Sequence, residues 1–234
     1  MEGGPGYVTA YTGIRLLDVP AVVDRSAGDV HIYGNPHLHT DPLRVLQITR
    51  NITTGLKRVA PERAQDFDAR LAAFTERIHR RLFGDELVEL LGGETLAKLA
   101  EAGTLHSFLA TNVLDGAPLA DRLGGWLAAA APLRGREVVC YHKNWSYFEE
   151  RFGIDCAAYV ETKPGIPPTP RHVAELLELM RTRGIEVILA ADYFDPRKVE
   201  TVAQRAGARA VIVPLAVDGD YFQLVDRWVG SMAE

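Results

Sequence analysis

Cysteine is scarce in this sequence: Cys140 and Cys156 stand alone among 234 residues. Two cysteines outside any C-x-x-C pair make no disulfide framework, and both are read as buried thiols. Long hydrophobic runs are also missing. No stretch approaches the roughly 18 apolar residues of a membrane span. The opening MEGGPGYVTAYTGIRLLD has no basic stretch followed by an apolar core, so no export signal is expected in the given chain. Nor does one charge sign dominate. With 26 Lys and Arg against 31 Asp and Glu, the net charge is −5 and the signs are interspersed. A nucleic-acid surface would be strongly basic, so no nucleic-acid partner is expected. Internal repeats and low-complexity segments are absent too. What is there, 47% hydrophobic and 24% charged residues, suffices at this length for one large domain or two small ones.

The C-terminal half is the most regular. REVVCYH (136–142), IDCAAYVE (154–161), IEVILAAD (185–192) and ARAVIVP (208–214) are short apolar runs rich in β-branched residues, each a buried-strand signal. Helical segments separate them. NWSYFEERFG (144–153) ends on a glycine stop, and TPRHVAELLELMRTRG (169–184) carries Thr169 at the N-cap, Pro170 at the first turn and Gly184 past the end. DPRKVETVAQRAG (195–207) repeats that grammar with Asp195, and residues 221–232 make a closing helix. Four alternations of apolar strand and helix predict a parallel sheet covered on both faces. In such sheets ligands gather beyond the carboxyl ends of the strands, where His142 and Glu161 fall.

Upstream, residues 43–60 predict a helix. PERAQDFDARLAAFTERIHRRLFG (61–84) predicts a longer one, with Phe67, Leu71, Phe74, Ile78 and Leu82 on one stripe. Its length is on the order of 30 Å, enough to bridge two lobes. Before it, only residues 10–26 can supply strand or helix, too little for a lobe as large as the second. The sequons at Asn51 and Asn144 fall in predicted helices and are discounted.

The chemistry-bearing residues are His37 in GNPHLHTDP (34–42), His142 in VVCYHKNWSYF, and Glu161 in YVETKPGIPPTP. Imidazole and carboxylate are common ligands of zinc and also suit manganese. A ligating histidine needs a partner for its second nitrogen, and Asn35 or Asp41 stands ready for His37. His39 shares a face with His37 only in an extended segment. His31, His79, His106 and His172 are read as surface residues or caps. Each candidate also has a plain structural reading: a hydrogen-bonded histidine at a strand end, a turn carboxylate, a loop imidazole.

Taken together, these segments resemble the solute-binding proteins of ABC importers for zinc and manganese. GNPHLHTDP resembles that family's Pro-His-x-x-x-Asp-Pro pattern, YHKNWSYFEERFGI its His-x-x-x-x-Tyr-Phe pattern, and the stretch from Glu161 its carboxylate ligand region. The resemblance implies an α/β fold of two lobes with parallel sheets joined by a long backbone helix. Residues 1–60 would be the remainder of an incomplete N-terminal lobe, 61–90 the linking helix, and 91–234 the C-terminal α/β lobe. It implies His37, His142 and Glu161 as ligands of a transported Zn2+ or Mn2+, nitrogen-rich ligation favouring zinc. His39 and Asp218 are further candidates. The family's first histidine ligand would lie upstream of Gly6, and the aspartate of its last loop aligns with Ala216. A membrane ABC permease is the implied partner, a periplasmic or extracellular membrane-associated position the implied location, and binding without turnover the implied activity. Self-association through the incomplete lobe is a further expectation. The alternatives are a metal-dependent hydrolase, suggested by the His-x-His pair, and a truncated relative that binds metal without transporting it.

Overall fold

The computed structural model describes residues 3–20, 31, 33–163, 166–216 and 219–233. The chain divides into two compact units, residues 1–15 with 41–129 and residues 16–40 with 130–234.

The first unit is helical. Asp41 opens α1 (Pro42–Val59) with its side chain accepting the Leu43 N–H, and Pro42 takes the first turn. Asn51 on α1 reaches back to the carbonyls of Ala10 and Thr12, at 2.7 and 2.9 Å, and ties down the opening segment. A 3-10 turn over Pro61–Arg63 leads into α2 (Ala64–Phe83), where the expected apolar stripe is half-buried at its start and fully buried at Ile78 and Leu82. Then come α3 (Asp85–Leu91), α4 (Gly93–Glu101), α5 (Leu105–Thr111), a hairpin of β1 (Val113–Leu114) with β2 (Ala117–Pro118), and α6 (Gly125–Ala129). Asp115 and Gly116 turn the hairpin, both with positive φ, as a tight two-residue turn requires.

His79 corrects one sequence expectation. It is a core residue, 2% exposed, lying under the start of α4. A Cβ on Gly93 would stand 2.1 Å from its Nδ1, so the imidazole fills the space that glycine leaves.

The second unit holds the sheet. Its strands are β3 (Glu137–Cys140), β4 (Asp155–Tyr159), β5 (Val187–Ala191) and β6 (Arg209–Val213), all parallel, in the order β4-β3-β5-β6. Its helices are α7 (Ser146–Phe152), α8 (Pro170–Arg183), α9 (Pro196–Ala206) and α10 (Tyr221–Ala233). The caps work as their residues dictate. Thr169 and Asp195 accept backbone N–H groups at the starts of α8 and α9, while Gly153, Gly184 and Gly207 end α7, α8 and α9 in the left-handed region. The α/β class with a parallel sheet is borne out; among the described residues all parallel strands belong to this one sheet.

One face of the sheet is filled by Leu176 and Met180 of α8 and Val199, Val202 and Ala203 of α9, packed on Val139, Ile188 and Ala190. Aromatic residues from α7 and α10 form a second cluster. The Trp228 ring lies 5.8 Å from Trp145 and 6.2 Å from Phe148, in edge-on contacts that suit the ring quadrupoles.

The cysteines are the second correction. Cys140 on β3 and Cys156 on β4 are joined as a disulfide, with a Cα separation of 5.5 Å. Parallel pairing of the two strands brings the residues within bridging reach, which their 16-residue spacing alone does not reveal.

Candidate metal centre

The sheet order fixes where a ligand can enter. From β3 the chain crosses to β4 on one side, then returns through α8 to β5 on the other side of β3. The β3/β5 boundary is therefore a topological switch point, and the crevice beyond its carboxyl ends is where such sheets bind ligands. His142 follows β3 by two residues, Tyr193 follows β5 by two, and Glu161 follows β4 by two. Pairing runs on past the strands: the Tyr141 N–H donates to Leu189 at 2.7 Å and the Glu161 N–H to Tyr141 at 2.9 Å. Those bonds set Glu161 beside His142, and its Oε2 meets His142 Nδ1 at 2.8 Å, with both side chains largely buried. Nδ1 so held leaves Nε2 as the nitrogen of His142 able to take a ligand, the arrangement common to metal-binding histidines.

His37 arrives from the loop of residues 33–37, which belongs to the same unit. Asn35 is its anchor. Asn35 Oδ1 accepts from the His37 N–H at 3.0 Å and meets Nδ1 at 2.7 Å, while its Nδ2 donates to Asp18, the Lys143 carbonyl and Ser146. Since those partners are acceptors, the amide nitrogen must face them and the oxygen must face His37. The imidazole therefore carries its proton on Nδ1 and a lone pair on Nε2. The Tyr147 hydroxyl of α7 donates to the Asn35 carbonyl at 2.6 Å and holds the loop against that helix. Of the two partners foreseen for His37, Asn35 serves and Asp41 is spent on capping α1.

The His37 and His142 rings are 6.4 Å apart. Two imidazoles on one tetrahedral zinc would have centres roughly 5 Å apart. His37, His142 and Glu161 are thus neighbours, more widely spaced than a closed coordination shell. Among the described residues no three His, Cys, Asp or Glu side chains stand close enough to enclose an ion. Burial lowers the His37 pKa to about 4, and the neighbouring His39, His142 and His31 add to the effect. The ring is neutral near pH 7, as a ligand must be.

The remaining candidates separate. His39 Nε2 is 2.9 Å from the Leu215 carbonyl, its ring lies 6.1 Å from Trp228, and Tyr221 donates to its backbone carbonyl at 2.8 Å. Its Nε2 is committed to the loop after β6, leaving Nδ1 as the only lone pair. Asp218 lies outside the described residues. His31, set aside in the sequence as a surface residue, has its ring 6.2 Å from that of His37, with a turn from its carbonyl to the Gly34 N–H. Two residues were not read from the sequence as site residues: Tyr193, and Asn144, which was met there only as a sequon. Asn144 is fully buried, in the loop before α7 rather than inside a helix, and Nδ2 bridges His37 Nε2 at 3.0 Å and the Tyr193 hydroxyl at 2.8 Å. The only sequence signal for them was position, at the carboxyl ends of β3 and β5.

A family profile described as zinc-uptake complex component A, periplasmic (ZnuA), matches residues 121–234. The high-affinity zinc uptake system protein ZnuA of Brucella abortus (strain 2308) is 26% identical over 113 residues, covering 46% of this chain and 34% of that protein. The zinc-binding protein AdcA of Streptococcus pyogenes serotype M6 is 19% identical over 179 residues, covering 76% of this chain and 27% of that one. Among solved structures, the crystal structure of ZnuA superposes with a TM-score of 0.65 at 15% identity, over 97% of this chain and 68% of that chain. The solute-binding protein FpvC from Pseudomonas aeruginosa in complex with Mn2+ gives 0.62 at 20% identity, over 97% and 68%. Over its C-terminal part the chain is similar to the zinc-uptake proteins that this profile describes. The resemblance read from the three sequence segments is borne out, and the fold is the one those proteins share. The matched regions span about a third or less of the curated relatives' length.

Proposed function

We propose that this chain captures a divalent metal ion as the extracytoplasmic solute-binding component of an ABC importer. The ligands are His37 and His142 through Nε2, with the Glu161 carboxylate, which holds His142 Nδ1 in this structure, turning from it to complete the first three. The observation that carries this reading is that one switch-point crevice gathers all three residues and fixes the tautomer of His37 through Asn35. Two neutral imidazoles and one carboxylate leave a bound divalent ion with a net charge near +1, which suits reversible capture better than a closed structural site. Nitrogen-rich ligation favours zinc over manganese. The zinc and manganese named for the relatives agree with that class of cargo.

Binding without turnover fits a chain whose polar groups are ligands and ligand supports. A membrane permease is the partner this role requires. No described helix is long and apolar enough to cross a membrane. The Cys140–Cys156 bridge suits an oxidising compartment and supports a periplasmic or extracellular position. The domains proposed are residues 1–60 as the remainder of an N-terminal lobe, 61–90, which holds α2 and most of α3, as the link, and 91–234 as the C-terminal lobe, of which residues 130–234 fall in the sheet-bearing unit.

Calorimetric titration with Zn2+ and Mn2+ tests the site. His142→Ala and His37→Ala should each weaken zinc binding by about 100-fold or more, while the circular dichroism of the protein stays unchanged. Wild-type affinity in His142→Ala would end the assignment.

A further inference from the structure

We propose that Asn144 is a switching ligand of this centre: its amide nitrogen holds the His37 lone pair as seen here, and a half-turn of the amide presents Oδ1 to a divalent cation bound at His37. This rests on the metal-capture reading above and adds to it an oxygen donor that neither the motifs nor the relatives assign.

The orientation of Asn144 follows from its neighbours. With the His37 proton held on Nδ1 by Asn35, Nε2 is an acceptor, and only the amide nitrogen of Asn144 can face it. The consequence is a defect. Asn144 has no solvent exposure, and its Oδ1 is a buried acceptor with no hydrogen-bond partner among the described residues. Buried polar atoms are nearly always paired, and one left without a partner is costly. The opposite orientation would pair this oxygen with the Tyr193 hydroxyl, which lies 2.8 Å from the present Nδ2 and can donate as readily as it accepts. It would also move the amide nitrogen to the place without a partner, so the half-turn needs a ligand on Oδ1 to favour it. What forbids the half-turn is His37: carbonyl oxygen and imidazole lone pair would face each other at about the 3.0 Å now spanned by the hydrogen bond.

A cation on His37 Nε2 reverses that preference. It removes the acceptor that the Asn144 amide uses and repels the N–H, while it attracts a carbonyl oxygen in the same place. An ion on Nε2 takes the direction that the amide now uses, so Asn144 must also draw aside as it turns, leaving Oδ1 and His37 Nε2 about the 3.0 Å apart that the hydrogen bond now spans. At metal–ligand distances of ~2.1 Å, two donors so separated subtend about 90° at the ion. That angle suits a six-coordinate ion, and an amide oxygen is a hard donor that manganese accepts well. No bond is made or broken within the protein; the step is a side-chain rotation with exchange of hydrogen-bond partners.

The test is titration of the full chain with Mn2+ and with Zn2+, comparing wild type, Asn144→Ala, Asn144→Asp and His37→Ala. Loss of the oxygen donor should weaken binding in Asn144→Ala by about tenfold, and by more for Mn2+ than for Zn2+. The isosteric Asn144→Asp keeps an oxygen and adds a charge, so it should bind both ions at least as tightly as wild type. Unchanged or tighter binding in Asn144→Ala overturns the proposal, because a side chain that merely blocks His37 would relieve competition when removed. If Asn144→Ala does not fold, wild-type protein labelled with 13C at asparagine side-chain carbonyls decides. Cobalt(II) should displace or broaden the Asn144 carbon far more than that of Asn35, which sits behind the ring; equal effects count against coordination. Loss of binding in His37→Ala beside unchanged Asn144→Ala removes only the switch. Wild-type affinity in His37→Ala removes the metal-capture reading itself.

Discussion

The two units of this chain use different means to hold their shape. In the first, helices follow one another through short turns and bury Ile78, Leu82 and Phe83 of α2 against their neighbours. Its notable polar feature, His79, is buried under Gly93 and fills space. In the second, four parallel strands must be brought together from residues far apart in sequence, and their carboxyl ends collect His142, Glu161 and Tyr193. A histidine buried in the helical unit packs; a histidine at the switch point keeps a lone pair at its surface. Residue type alone does not distinguish the two. The distinction comes from whether the backbone around the imidazole ends in a helix contact or at the edge of a parallel sheet.

That contrast can be broken at either side. The largest effect on stability is expected in the helical unit, where Leu82 is fully buried. Leu82→Ala should cost about 2–5 kcal/mol, from lost burial and the cavity left behind. Zinc affinity measured on the folded fraction should not change; a matching loss of affinity would show that the site depends on this core. Removing the bridge with Cys140→Ser and Cys156→Ser together should cost about 3 kcal/mol in chemical unfolding, because the unfolded chain regains the entropy of a 16-residue loop. Since the bridge joins the strands that end at His142 and Glu161, zinc affinity should fall as well. Reduced stability at full affinity would mean that strand pairing alone positions these residues.

The smallest effect concerns pH. His37 has its pKa lowered to about 4 from 6.5, burial being the leading cause. The unfolded chain takes up this proton as the pH falls through 6.5, while the folded chain does so only near 4. Between those values the unfolded state binds more protons, so stability is full above pH 6.5 and declines as the pH falls towards 4. Burial shifts His39 and His79 in the same direction. Urea unfolding with a chelator present, between pH 7.5 and 4.5, should show this decline, and His37→Gln should make it shallower. An identical slope in the variant would place the proton uptake elsewhere.

Much of the second unit could be read residue by residue. Each strand is a short apolar run, and each helix start carries an oxygen or proline that satisfies or tolerates free N–H groups. Thr169, Pro170 and Gly184 mark α8 to the residue. Such signals are legible because capping and turn chemistry act over four or five residues. The first unit was less legible. The segment 10–26 was expected to supply strand or helix, and the part of it in this unit, up to residue 15, is turns and irregular chain tied to α1 by Asn51 at Ala10 and Thr12. At the site, His37, His142 and Glu161 stood out because imidazole and carboxylate announce their chemistry. Asn144 and Tyr193 did not, since an amide and a phenol are ordinary residues until a lone pair is placed beside them.

By itself, then, the sequence determined the class of the fold, the order of strands and helices along the C-terminal half, and the residue types able to hold a metal ion. Only the tertiary structure decided which cysteines meet, which nitrogen of His37 carries the proton, that His39 Nε2 turns to Leu215, and that Asn144 faces His37. The physical reason is range. Propensity and capping are settled among near neighbours in the chain, whereas a disulfide or a lone pair is settled by groups that strand order and register bring together, 16 residues apart for the cysteines and 107 for Asn144 and His37.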